Sequence, residues 1–125
     1  MKNVIMQAIV LLTCGCATYT SKKDCSKENL EKLAQKLAYK GQKKSLFTSL
    51  QKSCKKHGIE INKSTFIKGW TRGMKEFCTE QRGFHWGLTR RENPSICIKE
   101  LKPFFNKGYL KGKRAYQGKT RRRKS

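Results

Sequence analysis

A pattern of aromatic, basic and glycine residues occurs twice in this chain, at residues 66–77 and again 39 positions later at residues 105–116. Each copy has aromatic residues at its first, fifth and twelfth positions and glycines at its fourth and eighth, a spacing that follows one face of an α-helix. Glycine costs up to about 1 kcal/mol in a helix interior, so we expect another backbone to pack closely against the four glycines. These are Gly69, Gly73, Gly108 and Gly112.

Helix start and stop signals predict three helices in the middle of the chain. Ser26 is a suitable N-cap for the first, whose apolar residues recur at helical spacing up to Gly41. A second helix is predicted over about residues 44–57, with Gly58 just past its end. The third helix begins after Asn62, which is a suitable N-cap. We therefore predict a mainly α fold, in which helices that carry the glycine and aromatic repeat form a small domain.

The rest of the chain is less regular. Residues 79–93 contain two glycines and a charged turn, and we expect an irregular segment there. Asn93 and Pro94 resemble an N-cap followed by proline at the first helical position, which predicts a short helix. Pro103 ends or kinks that helix and starts the last one. Residues 118–125 have no apolar residue, so we expect a disordered basic tail.

The first 15 residues have the layout of a secretory signal peptide. A short positive start, Met1–Asn3, precedes the apolar stretch Val4–Leu12, and small residues follow. The apolar stretch is too short to span a bilayer, which needs about 20 helical residues. Gly15-Cys16-Ala17 is similar to the cleavage and acylation site of bacterial lipoproteins, which implies a lipid anchor (palmitate among its acyl chains) on Cys16. Residues 16–24 would then form a lipidated tether.

Two other processing sites stay open. Cys14 has a suitable Leu11 three residues before its cleavage point, but Thr13 is a poor residue directly before it. Ordinary secretion with cleavage after Ala17 is the second alternative, and the Cys16 site itself departs from the lipoprotein pattern at Thr13. Within the lipoprotein resemblance, Ala17 in place of aspartate after the acylated cysteine implies the periplasmic side of the outer membrane.

Signal cleavage and acylation leave four cysteines in the chain. An even number in a small exported protein predicts two disulfides. Three pairings are possible, and of these we favour Cys25–Cys54 and Cys78–Cys97. Zinc binding is the alternative, but the sequence has no Cys-x-x-Cys or Cys-x-His spacing that would favour it. We predict no metal and no cofactor, and we place the disulfide-stapled helical domain at residues 25–117.

The charge of the chain is extreme, because 30 lysines and arginines oppose eight acids and give a net charge of +22. A surface of this kind attracts polyanions. We expect anionic envelope polymers or lipids as partners, with non-specific nucleic-acid binding as a consequence of charge alone; a merely solubilising surface is the alternative. No acid follows Glu100. The candidate anion-binding residues after it are Lys111, Lys113, Arg114, Lys119, Arg121, Arg122, Arg123 and Lys124.

The first copy of the repeat is part of a longer motif, Phe66-x-x-Gly69-Trp70-x-x-Gly73-Met74-x-x-Phe77-Cys78. It resembles the Tyr-x-x-Gly-x-x-x-Gly-Leu-x-x-Tyr-Cys signature of small Gram-negative lipoproteins grouped as domain of unknown function 2799. The resemblance covers roughly residues 25–112. It departs near the start, where the family prefers a tryptophan and a glycine-rich run and this chain keeps only Gly41. Because the family's function is unknown, the resemblance implies no activity.

One sequence cluster is the basis of an alternative function, whereas aromatic residues at helical spacing beside glycines more often belong to the core. Phe84, His85 and Trp86 are adjacent, and aromatic residues around a histidine occur in binding and catalytic sites. The alternative is a small envelope hydrolase or inhibitor with a site near these residues. No catalytic residue is assigned, since neither histidine has a matched partner at a recognisable spacing.

Overall fold

The computed structural model describes residues 20–124, in which a short 3-10 turn at Lys22–Cys25 is followed by five α-helices and no strand occurs. The helices are α1 (Lys27–Tyr39), α2 (Leu46–Lys56), α3 (Lys63–Phe77), α4 (Glu80–Leu88) and α5 (Lys102–Lys124). The mainly α fold predicted from the sequence is confirmed. The predicted signal peptide, the lipidation site at Cys16 and residues 16–19 of the tether lie outside the described residues.

The predicted signals lie at the starts of α1 and α3 and at the end of α2. The Ser26 hydroxyl accepts a hydrogen bond from the Asn29 backbone N–H at the start of α1. The Asn62 side chain accepts from the Ser64 N–H at 2.8 Å at the start of α3. Gly58 follows α2 with a φ of +74°, the left-handed conformation that glycine adopts without steric cost.

The prediction of an irregular segment over residues 79–93 is wrong, because residues 80–88 form α4. Thr79 caps this helix by accepting a hydrogen bond from the Arg82 N–H at 3.2 Å. The two glycines that lowered the helical expectation, Gly83 and Gly87, lie against the backbone of α5. Close packing against a second helix outweighs their poor intrinsic propensity.

The short helix predicted after Asn93 is also wrong. Residues 91–98 contain no helix. The Asn93 side chain instead accepts from the Ser95 N–H at 3.0 Å and forms a turn in which Ser95 has a φ of +52°. Its amide also donates to the Asn106 side chain at 3.0 Å, which ties the turn to α5.

The expected disordered tail is helical to Lys124 in the structure. Lysine, arginine and glutamine are good helix formers, and each residue added to an existing helix gains a hydrogen bond without a new nucleation step. Basic side chains in the last turn also interact favourably with the helix dipole. We call residues 118–124 the basic arm. It carries five cations and no acid, namely Lys119, Arg121, Arg122, Arg123 and Lys124.

Two disulfides tie the loops to the helices in the pairing favoured from the sequence. Cys25, directly before α1, is joined to Cys54 of α2, and Cys78, directly after α3, is joined to Cys97. The Cα atoms lie 5.7 Å apart in both. Closing loops of this length stabilises a fold by about 3–4 kcal/mol each in the chain-entropy model.

The helices form two parallel pairs, α1 with α3 and α4 with α5. In the first pair, Gly69 and Gly73 of α3 lie so close to α1 that a methyl group on either would collide with a backbone carbonyl. In the second pair, Gly108 and Gly112 of α5 meet the carbonyls of α4 in the same way. The stacked rings of Phe77 and Phe105, 4.9 Å apart, join the two pairs.

The two pairs are structural copies of each other. A shift of 39 positions takes α3 onto α5, as the sequence repeat predicts, and a shift of 49 positions takes α1 onto α4. The ion pairs of the two helix pairs are related by the same two shifts. Glu31 on α1 pairs with Lys68 and Arg72 on α3, and Glu80 on α4 pairs with the equivalent Lys107 and Lys111 on α5.

Each pair also has an equivalent hydrogen bond, from an aromatic side chain of its second helix to the loop that follows its first helix. In the first pair the Trp70 indole N–H donates to the Gln42 backbone oxygen at 2.9 Å. In the second pair the Tyr109 hydroxyl donates to the Arg91 backbone oxygen at 2.7 Å. Tryptophan and tyrosine therefore occupy equivalent places and make the same bond with different donors.

Candidate anion-binding site

A concave, open cleft of about 350 Å³ lies where the second helix pair ends. The loop after α4 forms one wall, and the α5 segment that faces it forms the other. We call it the basic cleft. It is lined by Gly87, Arg90, Arg91, Glu92, Tyr109, Lys113, Tyr116 and Gln117.

The loop that supplies the cleft's two arginines is fixed by backbone hydrogen bonds. The Arg90 N–H donates to the Gly87 oxygen and the Arg91 N–H donates to the Trp86 oxygen, each at 3.2 Å. These two bonds form the Schellman pattern that ends many helices. Together with the bond from Tyr109 to the Arg91 oxygen, they hold the loop to both helices, so the cleft's shape is set by the fold.

Arg90 adopts a left-handed backbone conformation with a φ of +60°. The equivalent residue in the first pair, 49 positions earlier, is Gly41, which has a φ of +80°. A left-handed conformation costs an ordinary residue roughly 1–2 kcal/mol. An arginine thus stands where the first pair has a glycine, and strained residues of this kind concentrate at functional sites.

The three cations of the cleft lie against aromatic rings. The Arg90 guanidinium lies 4.9 Å from the Tyr116 ring centroid, and the Arg91 guanidinium lies 4.5 Å from that of Trp86. The Lys113 ammonium lies 5.5 Å from the Tyr109 ring. Within residues 20–124 no carboxylate forms an ion pair with any of the three.

The cleft is open because α5 lacks a neighbour that the equivalent part of α3 has. The residues of α3 that correspond to Lys113 and Tyr116 are Met74 and Phe77, which are 1% and 0% exposed. Phe77 is covered by Trp86, which contacts it edge-on at 5.0 Å between centroids. At Tyr116 the corresponding space is the basic cleft, so a face that serves as core in the first pair is accessible in the second.

The predicted anion-binding residues do not all share one role. Lys111 is bound to the Glu80 carboxylate at 2.6 Å and belongs to the ion pair that joins α4 to α5. The hydrogen bond from Lys111 and the neighbouring charge of Lys107 lower the pKa of Glu80. Lys113 lines the cleft, Arg114 is exposed beside it, and the remaining candidates are the five cations of the basic arm.

Sequence reasoning missed the cleft's other residues. Arg90 and Arg91 belong to the segment for which the sequence predicts irregular structure, and Tyr109 and Tyr116 enter the sequence analysis only as the aromatic positions of the repeat. The signal that would have found them is the 49-position shift, which aligns Arg90 with Gly41. That shift is hidden in the sequence, because most of the α1 residues that match α4 differ in identity.

The Phe84-His85-Trp86 cluster does not assemble into a site. Trp86 is buried and donates its indole N–H to the Glu92 backbone oxygen at 2.8 Å, whereas Phe84 and His85 are exposed. Within the described residues, the His85 ring forms no hydrogen bond or ion pair. Residues 20–124 also contain no group of histidine, cysteine or acidic residues arranged to hold a metal ion.

Comparison with known proteins places the fold in a family. A family model described as a protein of unknown function, DUF2799, matches residues 29–114 of the chain. This match covers all of α2, α3 and α4, most of α1 and the first half of α5. No curated protein and no solved structure matches the chain. Within the described residues, no helix is both long enough and apolar enough to cross a membrane.

Proposed function

We propose that this chain, which belongs to the DUF2799 family, is a lipid-anchored envelope protein with a structural or adaptor role that binds anionic polymers or surfaces. In this proposal Cys16 carries the lipid and the domain lies on the periplasmic side of the outer membrane. The observation that carries the proposal is the concentration of cations at one end of the second helix pair. Three cations line the basic cleft and five follow in the basic arm.

The distribution of charge supports binding more than solubility. A solubilising surface would spread its cations evenly and intersperse acids. Here the acids Glu31 and Glu80 form ion pairs between helices, and no acid occurs after Glu100. A segment of one sign attracts polyanions through counterion release, which favours binding with little chemical selectivity.

The arm's helical form supports the same role. The side chains of a helix point outward around its axis, so the five cations of the basic arm are presented in several directions. Within the described part of the chain, a methyl group added at Gly118, at the start of the arm, would meet no atom within 4 Å, unlike one at the glycines of the helix contacts. A lipid anchor near residue 16 would keep this arm close to the membrane without requiring it to insert.

The test is co-sedimentation of the full chain with phosphatidylcholine vesicles that lack or contain phosphatidylglycerol, across a salt series. We expect binding only with the anionic lipid, weakening steeply as salt rises. A variant with Arg121, Arg122 and Arg123 changed to glutamine should bind more weakly and with a shallower salt dependence. A variant with Lys32, Lys36 and Lys40 changed to glutamine removes the same charge from α1 and its C-cap and serves as the control.

Two outcomes would contradict the proposal. Equal salt dependence in the arm variant and the control would mean that the position of the charge is irrelevant. Equal binding to neutral and anionic vesicles would mean that charge does not drive the interaction. For the anchor, the Cys16→Ala variant should leave the membrane fraction of the cell, and its retention there would place the anchor elsewhere.

A further inference from the structure

We infer that the basic cleft binds a phosphorylated sugar unit, with Arg90, Arg91 and Lys113 holding the phosphate. This inference rests on the proposed function and names the chemical group that the second helix pair recognises. The basic arm would supply attraction to any polyanion, whereas the cleft would supply selectivity. The two contributions can be separated by substitution, because they involve different residues.

The cleft's cations suit a phosphate. Guanidinium groups present N–H donors in a planar fork that matches phosphate oxygens, and an ammonium adds a third donor group. The rings of Tyr116 and Trp86 lie against the two guanidiniums. Side chains that are already ordered lose less conformational freedom on binding, which favours affinity.

The backbone conformation of Arg90 also supports a bound phosphate. Gly41 shows that the fold accommodates a glycine at this position of the helix end. Arg90 retains a side chain there despite its left-handed φ of +60°. It lines the cleft, and its guanidinium lies 4.9 Å from the Tyr116 ring centroid. In this proposal, a phosphate contacted by that guanidinium accounts for an arginine at a left-handed position.

The remaining lining of the cleft favours a sugar attached to the phosphate. A bare phosphate would contact the cleft's cations and leave the other lining residues without a ligand group. Those other residues are not cationic and include Glu92 and Gln117. A carboxylate repels a second phosphate but accepts hydrogen bonds from sugar hydroxyls.

The direct experiment titrates the full chain with glucose 1-phosphate, with glucose and inorganic phosphate as separate probes, and follows binding by calorimetry. We expect saturable binding of glucose 1-phosphate, binding of inorganic phosphate at least about tenfold weaker, and none of glucose. The Arg90→Gly and Lys113→Gln variants should each lose about tenfold in affinity, the usual effect of removing a charged hydrogen-bonding group. Lys75→Gln, a single-charge change on exposed α3 surface, is the matched control.

The outcomes are distinct. Unchanged affinity in both cleft variants, or a loss as large in Lys75→Gln, would overturn the assignment. Equal affinity for inorganic phosphate and glucose 1-phosphate would overturn the sugar component. Failure of glucose 1-phosphate to bind, with salt-sensitive binding to anionic vesicles intact, would overturn the cleft's role and leave the proposed function standing.

Competition identifies the source of the sugar phosphate. Lipopolysaccharide is the probe for a glycolipid, and yeast phosphomannan is the probe for a lipid-free phosphorylated glycan. Glucose 1-phosphate should displace bound protein from one of them. In the Arg90→Gly variant, the fraction of bound protein that glucose 1-phosphate displaces should disappear. Displacement from neither would overturn the inference.

Discussion

The Tyr109 hydroxyl donates a 2.7 Å hydrogen bond to the backbone oxygen of Arg91, and this bond fastens the loop that carries two of the cleft's cations to α5. The equivalent bond in the first helix pair is made by a tryptophan and holds a loop that carries no arginine. Equivalent hydrogen bonds thus support packing in one half of the molecule and a basic cleft in the other.

The first prediction concerns the hydrogen bond from Tyr109 to Arg91. Tyr109→Phe should lower the free energy of unfolding by about 0.5–1.5 kcal/mol, the usual net value of one hydrogen bond. It should also weaken glucose 1-phosphate binding, although no charge is removed, because the loop loses its attachment to α5. Chemical denaturation and calorimetry measure the two effects. Tyr39→Phe, whose hydroxyl makes no hydrogen bond within the described residues, is the control and should change neither.

The second prediction compares two glycines of α5. Gly112 lies against the backbone of α4, where a methyl group would collide with the Phe84 carbonyl, whereas Gly118 meets nothing. Gly112→Ala should destabilise the fold by about 1–3 kcal/mol through overpacking. Gly118→Ala should raise helix content and stabilise the arm by up to about 1 kcal/mol. Thermal unfolding followed by circular dichroism measures both effects. Equal effects of the two substitutions would contradict the close pairing of α4 and α5.

The third prediction concerns pH. The pKa of Glu80 is lowered by its hydrogen bond from Lys111, so the ionised form is favoured in the folded state. Its stabilisation is complete above the ordinary carboxyl pKa and is lost as pH falls through the lowered value. The midpoint temperatures of the wild type and Glu80→Gln should therefore differ at about pH 7 and converge toward about pH 3. Glu100→Gln, at a residue that forms no ion pair within residues 20–124, should show no such convergence.

The fourth prediction concerns the disulfides. The double variant Cys78→Ser/Cys97→Ser should lose about 3 kcal/mol of stability in the chain-entropy model. Peptide mapping of the oxidised protein should recover Cys25 linked to Cys54 and Cys78 linked to Cys97. A fragment that joins Cys54 to Cys78 would contradict this pairing.

The parts of the fold that the sequence predicted are those with local signals. Ser26 and Asn62 are side-chain caps, and Gly58 is a left-handed stop, so α1, α2 and α3 could be located from a few neighbouring residues. The repeat also identified Gly108 as a packing glycine, because its aromatic and basic neighbours recur in register.

The parts that the sequence did not predict depend on tertiary contacts. Gly83 and Gly87 are poor helix formers taken alone, and in the structure α5 packs closely against both. The basic arm was predicted to be disordered from its composition, whereas it continues a helix that is nucleated elsewhere. The cleft requires Arg90 and Tyr116, 26 positions apart, to be recognised as neighbours.

The most direct test of the account is a comparison of Arg90→Gly with Arg91→Gly, with unfolding free energy and glucose 1-phosphate affinity measured for each. Arg90 occupies a left-handed position and Arg91 does not. We predict that both variants lose affinity, that Arg90→Gly is at least as stable as the wild type, and that Arg91→Gly is destabilised by about 1 kcal/mol because glycine raises the entropy of the unfolded chain. A loss of stability in Arg90→Gly as large as that in Arg91→Gly, with affinity unchanged, would show that Arg90 serves the fold and would contradict the central claim that the cleft's cations are retained for binding.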